Sequence, residues 1–224
     1  MTDRMHFYLD TANVTELERR LPNPLVHGVT TNPTAMKRAG LQWSELPQFV
    51  RLVASLGARA VHLQVRHQEA PAMLQDAREY LELSGDTEVV VKIPATAAGY
   101  AVAHQLVSEG AAVTITAIYE PEQVLWAALV GARYAAPYLG RMDDAGREGL
   151  ALVADMEHIL RSYAAPGASA ATRLLVASVR TREAFLGLLR IGVGAVAAPP
   201  SLFDAVLEHA ATLEAEATFL ADAS

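Results

Sequence analysis

The sequence predicts an α/β protein, closed into a single-domain (β/α)8 barrel. Three features of its 224 residues carry that expectation. Short β-branched or apolar runs alternate with longer helical patterns from one end to the other, as in a parallel sheet with crossover helices. The alternation repeats eight times. An open doubly wound sheet would place a Gly-rich fingerprint after the first strand, whereas here YLDTANV runs straight into a helical pattern.

The elements follow in order. The first strand is HFYLD (6–10), and NVTELERRL (13–21) is its helix. LVHGVT (25–30) is the second strand, followed by a turn at Thr30-Thr31-Asn32-Pro33 and a helix over SELPQFVRLVASLG (44–57). AVHLQV (60–65) leads to EAPAMLQDAREYLEL (69–83), and EVVVKI (88–93) leads to TAAGYAVAHQLVSEG (96–110). AVTITAI (112–118) precedes PEQVLWAALVGA (121–132). RYAAPY (133–138) precedes one long helical pattern, DDAGREGLALVADMEHILRSYA (143–164). RLLVASV (173–179) with REAFLGLLRIG (182–192), then GAVAAP (194–199) with SLFDAVLEHA (201–210), complete the set. Gly57, Gly110, Gly131 and Gly192 fall where helices commonly end. No linker interrupts the pattern, so residues 1–207 form one barrel domain. The surplus segment within 208–224 is expected to be an extra helix of that domain, packed on a neighbouring subunit.

Composition narrows the function. A hydrophobic content of 52% supports a large core, and a net charge of −7 argues against a broad nucleic-acid footprint. It leaves room for a small anionic ligand, which needs only a few local cations. Zero cysteines exclude disulfides and thiolate chemistry. No run reaches the roughly 18 apolar residues of a membrane span, and MTDRMHFYLD lacks the layout of a signal peptide. The expectation is a cytoplasmic protein without membrane or nucleic-acid partners.

In a barrel of this kind chemistry collects at the C-terminal ends of the strands. Those ends read Asp10, then Thr30 to Pro33, Gln64, Lys92, Thr116, Tyr138 followed by Arg141, and Ser178 followed by Arg180; the eighth, VAAPPS, is bland. Each has an ordinary reading. Asp10 could cap the helix near Asn13, Asn32-Pro33 could be a turn, Gln64 could face solvent, Tyr138 could be core, and the arginines could be surface charges. Lys92 is harder to dismiss. Only two of the eighteen basic residues are lysines, and this one follows three valines in VVVKIPAT. Alternation puts it on the face of Val90 and Pro94, in a strand covered on both sides. A structural role would need a buried carboxylate, for which Asp10 is the strand-end candidate. Desolvation, on the other hand, favours the neutral amine, the form that attacks a carbonyl to make a Schiff base. Histidine spacing offers no metal site, and His62, alternating with Gln64, reads as a hydrogen-bonded interior histidine. Neither metal nor cofactor is expected.

FYLDTANV, GVTTNPT, LQV, VVKIPAT, TAIYEPEQ, APYLGRMDD and LVASVRT stand in an order and spacing that resembles the small transaldolases, most closely their fructose-6-phosphate aldolase branch. The resemblance runs from about residue 6 to the C-terminal helix. It implies a Schiff-base role for Lys92 and proton transfer at the donor C4 hydroxyl for Asp10. Gln64, Thr116 and Tyr138 would hold a catalytic water. Asn32 and Thr31 would meet the donor, and Arg141, Ser178 and Arg180 the substrate phosphate. Gln64 and Tyr138 follow the aldolase branch, where transaldolases typically carry Glu and Phe; Ala136 follows it too. Thr114 departs from it, since an apolar residue is common there.

The resemblance thus implies a class I, metal-independent aldolase. It would split fructose 6-phosphate, or a similar ketose, into dihydroxyacetone and glyceraldehyde 3-phosphate. The alternative is a transaldolase that passes the dihydroxyacetone unit between sugar phosphates or their sulfonated analogues. A non-catalytic barrel that binds sugar phosphates is the remaining reading. The resemblance also implies a homo-oligomer, pentameric or decameric.

Overall fold

The computed structural model describes residues 5–163 and 172–223. Eight parallel strands close into a barrel in sequence order. They are β1 (His6–Asp10), β2 (Gly28–Thr30), β3 (Ala60–Gln64), β4 (Glu88–Pro94), β5 (Val113–Ile118), β6 (Tyr134–Pro137), β7 (Arg173–Val176) and β8 (Ala195–Ala198). The helices are α1 (Val14–Glu18), α2 (Pro33–Ala39), α3 (Leu46–Ser55), α4 (Ala70–Leu81), α5 (Ala97–Ser108), α6 (Glu122–Leu129), α7 (Leu139–Asp144), α8 (Gly149–Tyr163), α9 (Arg182–Ile191), α10 (Pro200–Leu207) and α11 (Ala210–Asp222). This is the single-domain TIM barrel that the eightfold alternation predicts. Among the described residues no helix is long and apolar enough to cross a membrane.

Two expectations about local structure change. The segment after Thr31 is more than a turn, because Asn32 caps α2 by accepting from the Ala35 N–H, and Pro33 occupies the first helical turn. Asn-Pro is turn chemistry and helix-start chemistry alike. The helix expected over 143–164 starts later, at Gly149 of α8, and an additional short helix, α7, precedes it, with Gly146 between the two at φ +73°. Side chains rarely adopt that conformation, and glycine does so without steric cost.

Alternation along the strands builds two cores. Val89, Val91 and Ile93 of β4 point outward and join Met73, Leu106 and other helix residues in an aliphatic layer between sheet and helices. The inward residues form a separate cluster around Tyr8, Val90, Tyr134 and Tyr138, with alanines at 60, 112, 136, 177, 195 and 197. Those small residues make room for a few large polar ones. Gly28 shows how tight the fit is, since a Cβ there would come 2.1 Å from the Ala60 carbonyl oxygen and 3.0 Å from the Tyr8 ring. The Tyr8 and Tyr134 hydroxyls are 2.8 Å apart, and His6 Nδ1 lies 3.0 Å from Tyr134. His27 stacks on His6 at 3.6 Å. A buried polar network of this kind must be satisfied internally, and these contacts do so at the N-terminal half of the barrel.

Candidate active site

Lys92 is 2% exposed, and its Nζ donates to the backbone carbonyl of Thr31 at 3.0 Å. Among the described residues it makes no ion pair, so the carboxylate partner that a purely structural lysine would need is not there. Register places Gln64 on one side of it and Thr114 on the other. Beneath it His62 is fully buried, with Nδ1 3.0 Å from the Thr114 hydroxyl. Burial, and to a lesser degree the neighbouring Lys92 charge, holds His62 well below the usual histidine range, so the ring is neutral. His62 is therefore the hydrogen-bonded interior histidine that the sequence predicts, and Thr114 is its partner.

Asp10 ends β1 facing a cavity of about 450 Å³, and it accepts from the Thr30 hydroxyl at 2.8 Å. It caps no helix; Asn13 caps α1. Asn32 gives its side-chain oxygen to the α2 cap and also lines the cavity. Thr31 is a different case. It is buried behind the wall, its hydroxyl donating to the His62 carbonyl at 3.1 Å, and it does not line the cavity. Its carbonyl holds the lysine, and its hydroxyl ties the end of β2 to β3.

Thr116 and Tyr138 meet. Their hydroxyls are 3.0 Å apart in the barrel wall, and Tyr138 also lines the cavity. Gln64 brings a buried Oε1 with no hydrogen-bond partner among the described residues. His62 Nε2 and the Tyr80 hydroxyl are buried without a partner in the same way. The loop after β3 is fixed firmly. Fully buried Asp76 accepts from the backbone and guanidinium of Arg66 and from both the backbone and Nδ1 of His67. Burial alone would raise that carboxyl, but these hydrogen bonds outweigh it and hold it below the usual carboxylate range.

The arginine-bearing side of the cavity is built by α7 and the segment after β7. The Arg141 guanidinium sits 4.4 Å from the centre of the Tyr138 ring, a cation–π contact. Arg180 donates through both terminal nitrogens to Asp144, at 2.6 and 2.7 Å, which also holds the Asp144 carboxyl below its usual range. Gly140 permits this packing, for a Cβ there would lie 2.5 Å from the Ser178 carbonyl oxygen and 2.8 Å from Arg180 Nε. Arg141, Ser178 and Arg180 all line the cavity with Asp10, Asn32 and Lys92.

A family model described as transaldolase/fructose-6-phosphate aldolase matches residues 7–224. The chain belongs to that family. It is 34% identical over 219 residues to a probable transaldolase of Anaeromyxobacter dehalogenans (strain 2CP-C), covering 97% of this chain and 96% of the relative. A probable transaldolase of Methanococcus maripaludis (strain C5 / ATCC BAA-1333) is 34% identical over 218 residues, 97% of each chain. One from Nitrosopumilus maritimus (strain SCM1) is 33% identical over 219 residues, 97% of this chain and 94% of the relative. The family is one of enzymes, and the names of these relatives place the transferase reading beside the aldolase one.

Within this family member, sequence reasoning missed several parts of the site. Ala117 and Ser178 adopt positive φ angles of 58° and 60°. Such strain in non-glycine residues clusters at functional sites. Ala117 falls where the β5–β6 register shifts between Thr116 and Ile118, so the bulge re-aims the strand just past Thr116. Nothing in the letters Thr-Ala-Ile signals it. Arg38, which lines the cavity, and Asp144, which pairs with Arg180, are also unannounced, although TTNPTAMKR carries the first and APYLGRMDD the second.

Proposed function

We propose that the protein is a class I aldolase that cleaves fructose 6-phosphate, or a similar ketose, to dihydroxyacetone and glyceraldehyde 3-phosphate. The observation that carries this reading is the buried Lys92, without a carboxylate partner among the described residues, opening onto the cavity that Asp10 lines. In the proposed sequence the Lys92 amine adds to the ketone carbonyl, and loss of water gives a protonated imine. Asp10 takes the proton of the C4 hydroxyl as the C3–C4 bond breaks, and the bonding electrons pass into the imine to give an enamine. The phosphorylated aldehyde leaves. Protonation of the enamine carbon and addition of water then free the lysine and release dihydroxyacetone.

The last two steps separate an aldolase from a transaldolase, which keeps its enamine until a second aldehyde arrives. The Tyr138 hydroxyl beside Thr116, with the unpaired Gln64 oxygen, supports a held water and hence hydrolysis. The names of the relatives, probable transaldolases, favour the second reading, transfer of the three-carbon unit to an acceptor. Turnover of fructose 6-phosphate with and without an acceptor aldose phosphate separates the two. Release of dihydroxyacetone without acceptor is expected, and turnover only with acceptor would assign the transferase.

Assembly belongs to the same proposal. α11 has no buried residue and exposes Leu213, Phe219 and Leu220, a face suited to a neighbouring subunit of a pentamer or decamer. A light-scattering mass at the monomer value would remove it.

A further inference from the structure

Arg38 lines the cavity from α2, and no step above uses it. Asn32, Ala35 and Arg38 are spaced three apart and share one side of that helix, and all three border the cavity. Ala35 is small, so the Asn32 amide and the Arg38 guanidinium reach the same space. Arg38 is exposed, and it makes no hydrogen bond or ion pair with any described residue.

The three cavity arginines differ in how far their charge is already answered. Arg180 holds Asp144 through two hydrogen bonds. Arg141 rests on the Tyr138 ring, donates to the Tyr119 hydroxyl at 3.4 Å and makes no ion pair among the described residues, although Asp144 is near enough to feel its charge. Arg38 has neither kind of contact. A phosphate monoester carries roughly −1.5 to −2 charges near neutral pH, more than Arg141 alone can answer once Arg180 is committed to Asp144. A sulfonate or carboxylate carries only one.

We propose that Arg38 is the second unmatched cation of the anion seat, and that Arg38 and Arg141 together select a dianionic phosphoryl group on the aldehyde half of the substrate over a monoanion. The proposal rests on the sugar-phosphate reading given above. It goes further in naming the charge of the accepted group and the residue that enforces it.

The test compares wild type with Arg38→Gln and Arg38→Lys. In a thermal-shift titration with inorganic phosphate, Arg38→Gln is expected to weaken binding roughly tenfold, the scale of one charge-assisted contact. Arg38→Lys recovers most of it, and methanesulfonate binds all three proteins alike. In kinetics of aldol addition, Arg38→Gln raises KM for glyceraldehyde 3-phosphate by a similar factor and leaves kcat, and all constants for unphosphorylated glyceraldehyde, unchanged. Unaltered phosphate binding in Arg38→Gln, absence of phosphate binding by wild type, or an equal loss on both aldehydes would overturn the assignment. Borohydride labelling of Lys92 with dihydroxyacetone is independent of Arg38. A failure of labelling with the phosphate result intact would therefore sink the reaction and not the anion seat.

Discussion

On the outer side of the sheet, Val89, Val91, Ile93, Val113 and Ile115 pack against the helices in a layer that is aliphatic throughout. On the inner side, the same strands carry alanines between Tyr8, His62, Lys92, Thr114, Thr116, Tyr134 and Tyr138. The outer layer holds by area and shape, and one aliphatic side chain does much the same work as another. The inner layer holds by specific hydrogen bonds, and each large polar residue depends on small neighbours that leave it space. The proposed chemistry sits on the inner face, where Lys92 is buried among groups that can aim its amine. β5 shows both rules in adjacent residues, with Ile115 outward and Thr114 and Thr116 inward.

Substitutions can break this contrast. Lys92→Ala is expected to have the largest effect, lowering turnover by roughly a thousandfold or more, as removal of a covalent nucleophile does. Its melting temperature should hold, because the side chain makes a single hydrogen bond, to the Thr31 carbonyl, and such a bond contributes little net stability. Unchanged steady-state rates would remove the lysine from the reaction. Ile115→Ala should do the opposite, costing about 2–5 kcal/mol in chemical denaturation while kcat below the melting range stays near wild type. A loss of activity without a loss of stability would contradict the division of labour.

The inner face should also give the fold a pH dependence. His62 stays neutral when folded, whereas an unfolded histidine takes up a proton below about pH 6.5. The unfolded state then binds more protons, so stability is complete above that pH and declines as pH falls below it. For this one group the slope approaches about 1.4 kcal/mol per pH unit. His27, also lowered by burial, adds to it in the same sense. Denaturation from pH 7 to 5 should show a shallower slope for His62→Gln; an unchanged slope would mean that the buried ring is not what acid attacks. Smallest in stability is Thr116→Val, at about 1 kcal/mol for one hydrogen bond. It should nonetheless shift product partition toward transfer, since Tyr138 loses its hydroxyl partner.

The contrast explains what could be read in advance. The outer layer repeats, so eight apolar runs and their helices were visible as a pattern, and alternation alone placed Lys92 and His62 inside. The inner face and the loops depend on contacts between distant strands. The Thr31 hydroxyl is tied to the His62 carbonyl, thirty-one residues away, which no local pattern signals. Arg180 looked free for a phosphate, and Asp144 holds it across thirty-six. The strained Ala117 and Ser178 have no compositional mark, and Arg38 reads as an ordinary surface charge until α2 turns it toward the cavity.

The most direct test of the inner face as the reactive one is borohydride reduction of the folded protein in the presence of dihydroxyacetone, followed by peptide mass analysis. The expected result is a single adduct on the peptide bearing Lys92, absent in Lys92→Ala and present in Ile115→Ala. Folded wild-type protein that stays unlabelled, or a label on Lys37, would contradict it.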